Sequence, residues 1–174
     1  MHRTKVEGEF TLSSKKNKPA TLRITDPCYE KEHGVIFPAL PGRWVAFITM
    51  AEGRVETLTA HHEIIKDEDV RCWTCEGRVV GVDSGQAGFF DDARYDDIPT
   101  TRYEEICRLT DDLAGCFNEG VVSSSGFGDG LYVLKTMRDG AGLVIAAEIT
   151  FIEDEEEIED DEEEEDGDDE FTEE

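Results

Sequence analysis

Short stretches of alternating hydrophobic and polar residues are separated along the chain by glycine, proline and charged residues. Alternation with a period of two is typical of strands that bury one face, and β-branched and aromatic residues favour the same structure. The pattern predicts strands at 9–13, 20–25, 43–50, 54–60, 87–91, 120–125, 131–137 and 143–152, and one more within 72–85. Residues 51–53 join two of them as a hairpin. The last strand is expected to be central or well covered.

One helix is predicted among these strands. Thr101 and Glu104 have the spacing of a capping box, and Pro99 precedes them. An amphipathic stripe should then run to Gly115 or Gly120, made of Tyr103, Ile106, Leu109, Leu113 and Phe117. Residues 26–42 are rich in proline and glycine and are predicted to form an irregular loop. The expected class is α+β: mostly antiparallel β, a twisted sheet or half-open barrel, with one main helix.

Charge is concentrated at the C-terminus. The chain has 174 residues and a formal net charge of −26, and residues 153–174 contain 18 of its 43 acids and none of its 17 bases. Such a segment cannot bury enough apolar surface to offset the entropy of ordering, so we expect a disordered acidic tail after a single β-rich domain at 1–152. The tail either serves solubility alone, or attracts a basic protein surface, or acts as a decoy for a nucleic-acid site. Direct nucleic-acid binding is disfavoured, because phosphates require clustered lysine and arginine.

Cysteine usage and hydropathy bear on the compartment. The N-terminal residues lack the apolar core of a signal peptide, and no stretch of the chain is apolar enough to span a bilayer. The five cysteines are odd in number and scattered through a chain that is long enough to fold without disulfides. A cytoplasmic protein with reduced thiols is therefore expected.

Cys72 and Cys75 have the spacing of a redox dithiol or of half a zinc site, and His61 and His62 precede them. A redox pair is usually followed by a helix, whereas glycine and a β-prone run follow here. The histidine spacing does not fit a two-cysteine, two-histidine finger. Inert thiols, a zinc site and a redox pair all remain open, with inert thiols favoured.

Three loops combine aspartate with small residues directly after predicted strands. They are 26–29 (DPCY), 81–88 (GVDSGQAG) and 123–130 (SSSGFGDG). If the strand ends face the same way, Asp26, Asp83 and Asp129 could converge on Mg²⁺ or Ca²⁺, with Ser84 beside them. The alternative is that these residues only form tight turns, which favour aspartate and glycine for conformational reasons.

The same three loops resemble a family of small bacterial and bacteriophage proteins of unknown function. The resemblance rests on the motifs ITDPCY, VGVDSGQAGFFDD and VVSSSGFGDGLY, and it covers roughly 24–152 but neither the acidic tail nor the Cys72/Cys75 pair. It implies a compact β-rich fold. It brings no activity, cofactor or catalytic residue to transfer.

Three functions are left open by the sequence. The first is a non-enzymatic interaction or regulatory protein, of phage or mobile-element type, that docks through a β core and engages a basic partner with its tail. The second is a metal-assisted hydrolase or small-ligand-binding protein with its site at the three loops. The third is a zinc-stabilised adaptor built on Cys72 and Cys75.

Overall fold

The computed structural model describes residues 2–66, 69 and 73–154. Most of the ordered elements are strands, and each is bounded as follows: β1 (Arg3–Lys5), β2 (Phe10–Leu12), β3 (Ala20–Thr25), β4 (Val35–Ala39), β5 (Gly42–Ala51), β6 (Arg54–His62), β7 (Thr74–Val82), β8 (Gln86–Asp91), β9 (Ala114–Phe117), β10 (Gly120–Ser124), β11 (Gly130–Arg138) and β12 (Val144–Thr150). A short 3₁₀ turn covers Asp92–Arg94, a wider helical turn covers Ile98–Arg102, and helix α1 follows at Tyr103–Asp111.

Strand β12 lies at the junction of the sheet. It pairs with β6 on one side and with β11 on the other, and the ladder continues from β6 through β5 to β1 and β2, and from β11 to β7. A second run, in the order β4-β3-β8-β10-β9, joins β12 through a single parallel bridge between Val144 and Ala39. The remaining described pairings are antiparallel, and the sheet curls into a half-barrel. The predictions of a mostly antiparallel β fold and of a central last strand are confirmed.

The two runs share one apolar core. Trp44 of β5, Phe10 of β2, Leu22 of β3 and Phe89 of β8 are all buried in it. A smaller cluster lies on the other face of β8 and β10, where Ile106 of α1 packs with neighbouring aromatic and aliphatic side chains. Burial of one such side chain stabilises the fold by about 1.5–3 kcal/mol, so Ile106 fixes the helix to the sheet.

The hairpin of β5 and β6 forms as predicted and is longer than predicted. Its turn consists of Glu52 and Gly53, both with positive φ (52° and 75°), which is the backbone of a two-residue type I′ turn. The register of this hairpin shifts once, between Thr49 and Met50.

The prediction of an irregular loop at 26–42 is wrong in part, because β4 lies within it. Val35, Phe37 and Ala39 are buried, while Ile36 and Pro38 between them are exposed. This alternation was overlooked because of the proline. Pro38 is tolerated because β4 pairs with β3 along one edge and meets β12 only at its end, so the missing N–H breaks no ladder.

The helix starts earlier and ends earlier than predicted. The helical segment begins at Ile98, and Thr101 donates its hydroxyl to the carbonyl of Asp97 instead of capping Glu104. The chain leaves the helix at Leu113, which has a φ of 74°. Phe117 therefore lies on β9, and both it and Leu113 still pack against the apolar clusters. The predicted amphipathic stripe therefore combines residues of a shorter helix with a residue of β9.

The predicted acidic tail lies outside the described residues from 155 onward, and so does Cys72. Within the described ranges, no helix is both long and apolar enough to cross a membrane.

Candidate functional site

The first two aspartate loops meet at the side chain of Asp26, which is fully buried. Its Oδ1 accepts hydrogen bonds from Cys28 N (2.8 Å) and Ser84 Oγ (2.7 Å). Its Oδ2 accepts from the backbone nitrogens of Asp83 (2.8 Å) and Ser84 (2.7 Å). A carboxylate offers about four lone-pair positions, and all four are occupied here. Asp26 therefore ties the end of β3 to the end of β7.

Two tyrosines extend this junction. Tyr29 donates its hydroxyl to Oδ2 of Asp83 (2.5 Å), and this hydrogen bond raises the pKa of Tyr29 above its usual range. The buried Tyr95 donates its hydroxyl to the carbonyl of Tyr29 (2.5 Å), and burial raises its pKa as well. The guanidinium of Arg23 lies 5.1 Å from the centre of the Tyr95 ring. Both phenols therefore remain protonated donors at neutral pH.

Cys28 and Ser84 place two possible nucleophiles, a thiol and a hydroxyl, at this junction. Partial burial of the Cys28 thiol and the neighbouring Asp26 carboxylate raise its pKa to about 12. Reactive cysteines have a lowered pKa, because the thiolate is the attacking species. Ser84 donates its hydroxyl to a carboxylate that is already saturated, which gives it no available base. The geometry suits a structural role for both side chains.

The third loop lies beside the second. Ser125 N donates to the carbonyl of Gly85 (3.0 Å), and Gly130 pairs with Val82. Asp129 precedes Gly130 and Asp83 follows Val82, and these two strand ends pair with each other. The two aspartates therefore lie on adjacent segments at one rim of the sheet, and both are exposed. Among the residues that the structure describes, no three His, Cys, Asp or Glu side chains form a group that could hold a metal ion. The cation site at Asp26, Asp83, Ser84 and Asp129 stays a prediction.

The residues of the predicted zinc site occupy separate strands. Cys75 is exposed on β7, whereas His61 and His62 are buried on β6. Three strand spacings of about 4.8 Å separate β7 from β6 through β11 and β12, a distance of roughly 14 Å. His62 accepts from Ile64 N at Nδ1 (3.0 Å) and donates from Nε2 to the carbonyl of Pro41 (3.0 Å), so both of its ring nitrogens are engaged.

A polar cleft of about 800 Å³ lies on the other side of the sheet from the main core. It is lined by threonines of β5, β6 and β12, by apolar groups at its wall and by six charged side chains. The acids are Glu56, Glu148, Glu153 and Asp154, and the bases are Arg3 and Lys135. The cleft therefore carries an excess of negative charge.

Glu56 reaches the cleft through a β-bulge. Met50 pairs with Val55 and Thr49 pairs with Thr57, so Glu56 is the extra residue on β6. Its carbonyl oxygen accepts from Phe151 N (2.8 Å) and Ile152 N (3.2 Å). The bulge consequently turns the Glu56 side chain into the cleft and also anchors the chain where the acidic segment begins.

The cleft is not predicted from the sequence, although one signal of it is present. Strict alternation in β6 would place Glu56 on the same face as Leu58 and Ala60, both of which are fully buried in the core. A glutamate on the core face of a strand indicates that the register changes nearby. The tyrosines at the Asp26 junction, Tyr29 and Tyr95, carried no comparable signal.

Comparison of the chain with protein-family models, with curated proteins and with solved structures gave no match.

Proposed function

We propose that the protein is a non-enzymatic interaction or regulatory protein that binds a basic partner through the cleft and the acidic C-terminal segment together. The observation that carries this proposal is the position at which the segment begins. Glu153 and Asp154 line the same cleft as Glu56 and Glu148. The acidic sequence is thus continuous with a concave surface whose acids outnumber its bases.

Charge supports the proposal in two ways. The 18 acids of residues 153–174 create a strong negative potential that attracts cationic surfaces and accelerates encounter. The cleft then offers fixed carboxylates at a defined place, held by threonine hydroxyls such as Thr59, which donates to Glu148 Oε2 (2.9 Å). Long-range attraction and local docking are therefore supplied by adjoining parts of the chain.

A labelled decapeptide of alternating lysine and serine tests the proposal, with a peptide that has glutamine in place of lysine as the neutral probe. Fluorescence anisotropy of the full chain should show binding of the lysine peptide alone, and the affinity should fall as added salt shortens the Debye length. Glu148→Gln should weaken binding about fivefold, the equivalent of roughly 1 kcal/mol for one nearby charge.

Glu104→Gln is the matched control, because Glu104 is an exposed glutamate on α1, away from the cleft. It should leave the affinity nearly unchanged. Equal binding of both peptides would contradict a charge-selective site. An effect of Glu148→Gln no larger than that of Glu104→Gln would place the interface outside the cleft.

A further inference from the structure

We propose that Glu56 binds a single organic cation, a primary ammonium or a guanidinium group, that enters the cleft on an aliphatic stem. The inference rests on the proposed function and deepens it, because a lysine or arginine side chain of the basic partner is the expected source of this cation. A free alkylamine has the same chemistry, and the experiment below separates the two sources.

The Glu56 side chain is buried, and its hydrogen-bonding capacity is only partly satisfied. The residue is 4% exposed, yet it lines the cleft. Oε2 accepts a hydrogen bond from Thr49 Oγ1 (2.8 Å), while Oε1 accepts none from the described residues. Arg3 and Lys135 line the same cleft, but none of the ion pairs found between described residues includes Glu56. A buried charge is costly unless it is paired, so a cation from outside would stabilise this site.

The threonine hydroxyl groups of the cleft also favour a bound cation. Thr49 Oγ1 lies 2.8 Å from Thr57 Oγ1, and because Thr49 gives its proton to Glu56, Thr57 must be the donor of that pair. Thr150 lies opposite Thr57 on β12, and its Oγ1 is buried with no hydrogen-bond partner among the described residues. Thr150 lines the same cleft, so a small movement of its side chain would offer this vacant acceptor to the N–H donors of an ammonium or guanidinium.

The composition of the cleft wall favours a cation that is carried on an aliphatic stem. Trp73, Val133 and Ile152 line the cleft together with the acids. Lysine and arginine bury aliphatic stems while their charged ends seek polar partners, and a tryptophan ring also attracts a cation. The β-bulge places the Glu56 carboxylate on this face of the sheet, although it interrupts the regular pairing of β5 with β6. An apolar wall leading to a buried carboxylate fits a stem with a cationic end.

Butylammonium and ethylguanidinium chloride are the probes, titrated into the ¹⁵N-labelled full chain. The reporters are the backbone amides of Phe151 and Ile152, which donate to the Glu56 carbonyl. Saturable shifts are expected there in the wild type. Glu56→Gln should raise the Kd at least tenfold, because an amide keeps the acceptor for Thr49 but loses the charge. Glu104→Gln should leave the Kd unchanged.

Thr150→Val is a second variant, and it tests the site even if the Glu56→Gln protein does not fold correctly. Valine has nearly the shape of threonine and removes a buried oxygen that has no described partner, so the variant should be at least as stable as the wild type. We expect it to weaken amine binding about threefold, since one acceptor of the site is lost.

The outcomes distinguish this inference from the proposed function. Shifts that spread over the acidic surface and respond equally to Glu56→Gln and Glu104→Gln would show counterion behaviour only and would overturn the inference. Lysine-peptide binding and amine binding that both survive Glu56→Gln would also overturn it while leaving the proposed function intact. Amine binding at Glu56 without any peptide binding would refute the proposed function and identify a free amine as the ligand.

Discussion

Replacement of Asp26 by asparagine should destabilise the fold more than any other isosteric change in the three loops. The carboxylate accepts four hydrogen bonds, three of them from backbone N–H groups. An amide keeps one acceptor oxygen and places two N–H donors where the other oxygen was. Even if the Ser84 hydroxyl rotates to accept from the amide, at least one backbone N–H loses its acceptor.

The magnitude follows from these bonds. An unsatisfied buried N–H costs about 1–3 kcal/mol, and each retained bond weakens by about 1 kcal/mol when the acceptor is no longer charged. Relief of repulsion with the nearby Asp83 offsets part of this, so we expect a loss of about 3 kcal/mol in the free energy of unfolding. For a domain of this size, that corresponds to a decrease of roughly 6–12 °C in Tm.

Urea unfolding followed by the fluorescence of Trp44, which is fully buried, measures the effect. Ser84→Ala removes one donor and should cost about 1 kcal/mol. Asp83→Asn is the matched control, because its amide oxygen still accepts from Tyr29 at an exposed position, and it should change stability by less than about 0.5 kcal/mol. A loss below about 1 kcal/mol for Asp26→Asn, or an equal loss for Asp83→Asn, would refute the reasoning.

Three further predictions concern titration and cations. Cys28, with a pKa of about 12, should react with iodoacetamide at pH 8 on the order of a thousandfold more slowly than free cysteine, as followed by mass spectrometry; a rate near that of free cysteine would contradict the assigned environment. Burial alone would raise the pKa of Glu76, but hydrogen bonds from Thr136 and Arg138 outweigh it and lower the pKa, so Glu76→Gln should cost about 1 kcal/mol at pH 7. Since the folded pKa is the lower one, this difference should be fully present above the ordinary carboxyl pKa of 4.5, and urea titrations should show it disappearing as the pH falls through the lower folded pKa. Millimolar Mg²⁺ or Ca²⁺ should change the Tm of the wild type and of Asp83→Asn equally; a rise confined to the wild type would support a cation site at the three loops.

The strands could be predicted because β-branched and aromatic residues cluster in short runs bounded by turn residues. β12 and the β5–β6 hairpin show this enrichment, although consecutive residues of β5 and β6 are buried and strict alternation is lost. β4 was missed because Pro38 is usually a loop signal, and only the pairing with a single neighbour makes it acceptable in a strand. That pairing is a property of the tertiary structure and leaves no trace in the local sequence.

The helix boundaries also depend on tertiary structure that the local sequence does not reveal. Thr101 and Glu104 satisfy the capping-box spacing, but the helical segment had already begun at Ile98, with Pro99 in its first turn. Leu113 and Phe117 continue the apolar spacing by coincidence, since β9 pairs with β10 immediately after the helix. Local propensity identified the helix, and tertiary pairing decided where it ended.

Asp26, Asp83 and Ser84 lie close together, as expected of loops that follow strands of one sheet, while the cation site at these residues and Asp129 stays a prediction. The sequence could not reveal how the Asp26 carboxylate is used. An aspartate that binds a cation and an aspartate that accepts four protein hydrogen bonds have the same local sequence. The difference depends on which backbone N–H groups the fold directs toward the carboxylate.

The two buried carboxylates of this protein illustrate that difference. Asp26 is fully buried and has a protein donor at each of its four acceptor positions, so nothing further is needed to stabilise its charge. Glu56 is almost as buried and has one threonine donor among the described residues. Since folding must offset the cost of burying each charge, the first carboxylate is stabilised by the fold itself, whereas the second leaves a deficit that a bound cation can fill. The number of donors around a buried acid, more than its burial or its sequence motif, therefore separates a structural residue from a candidate binding residue in this fold.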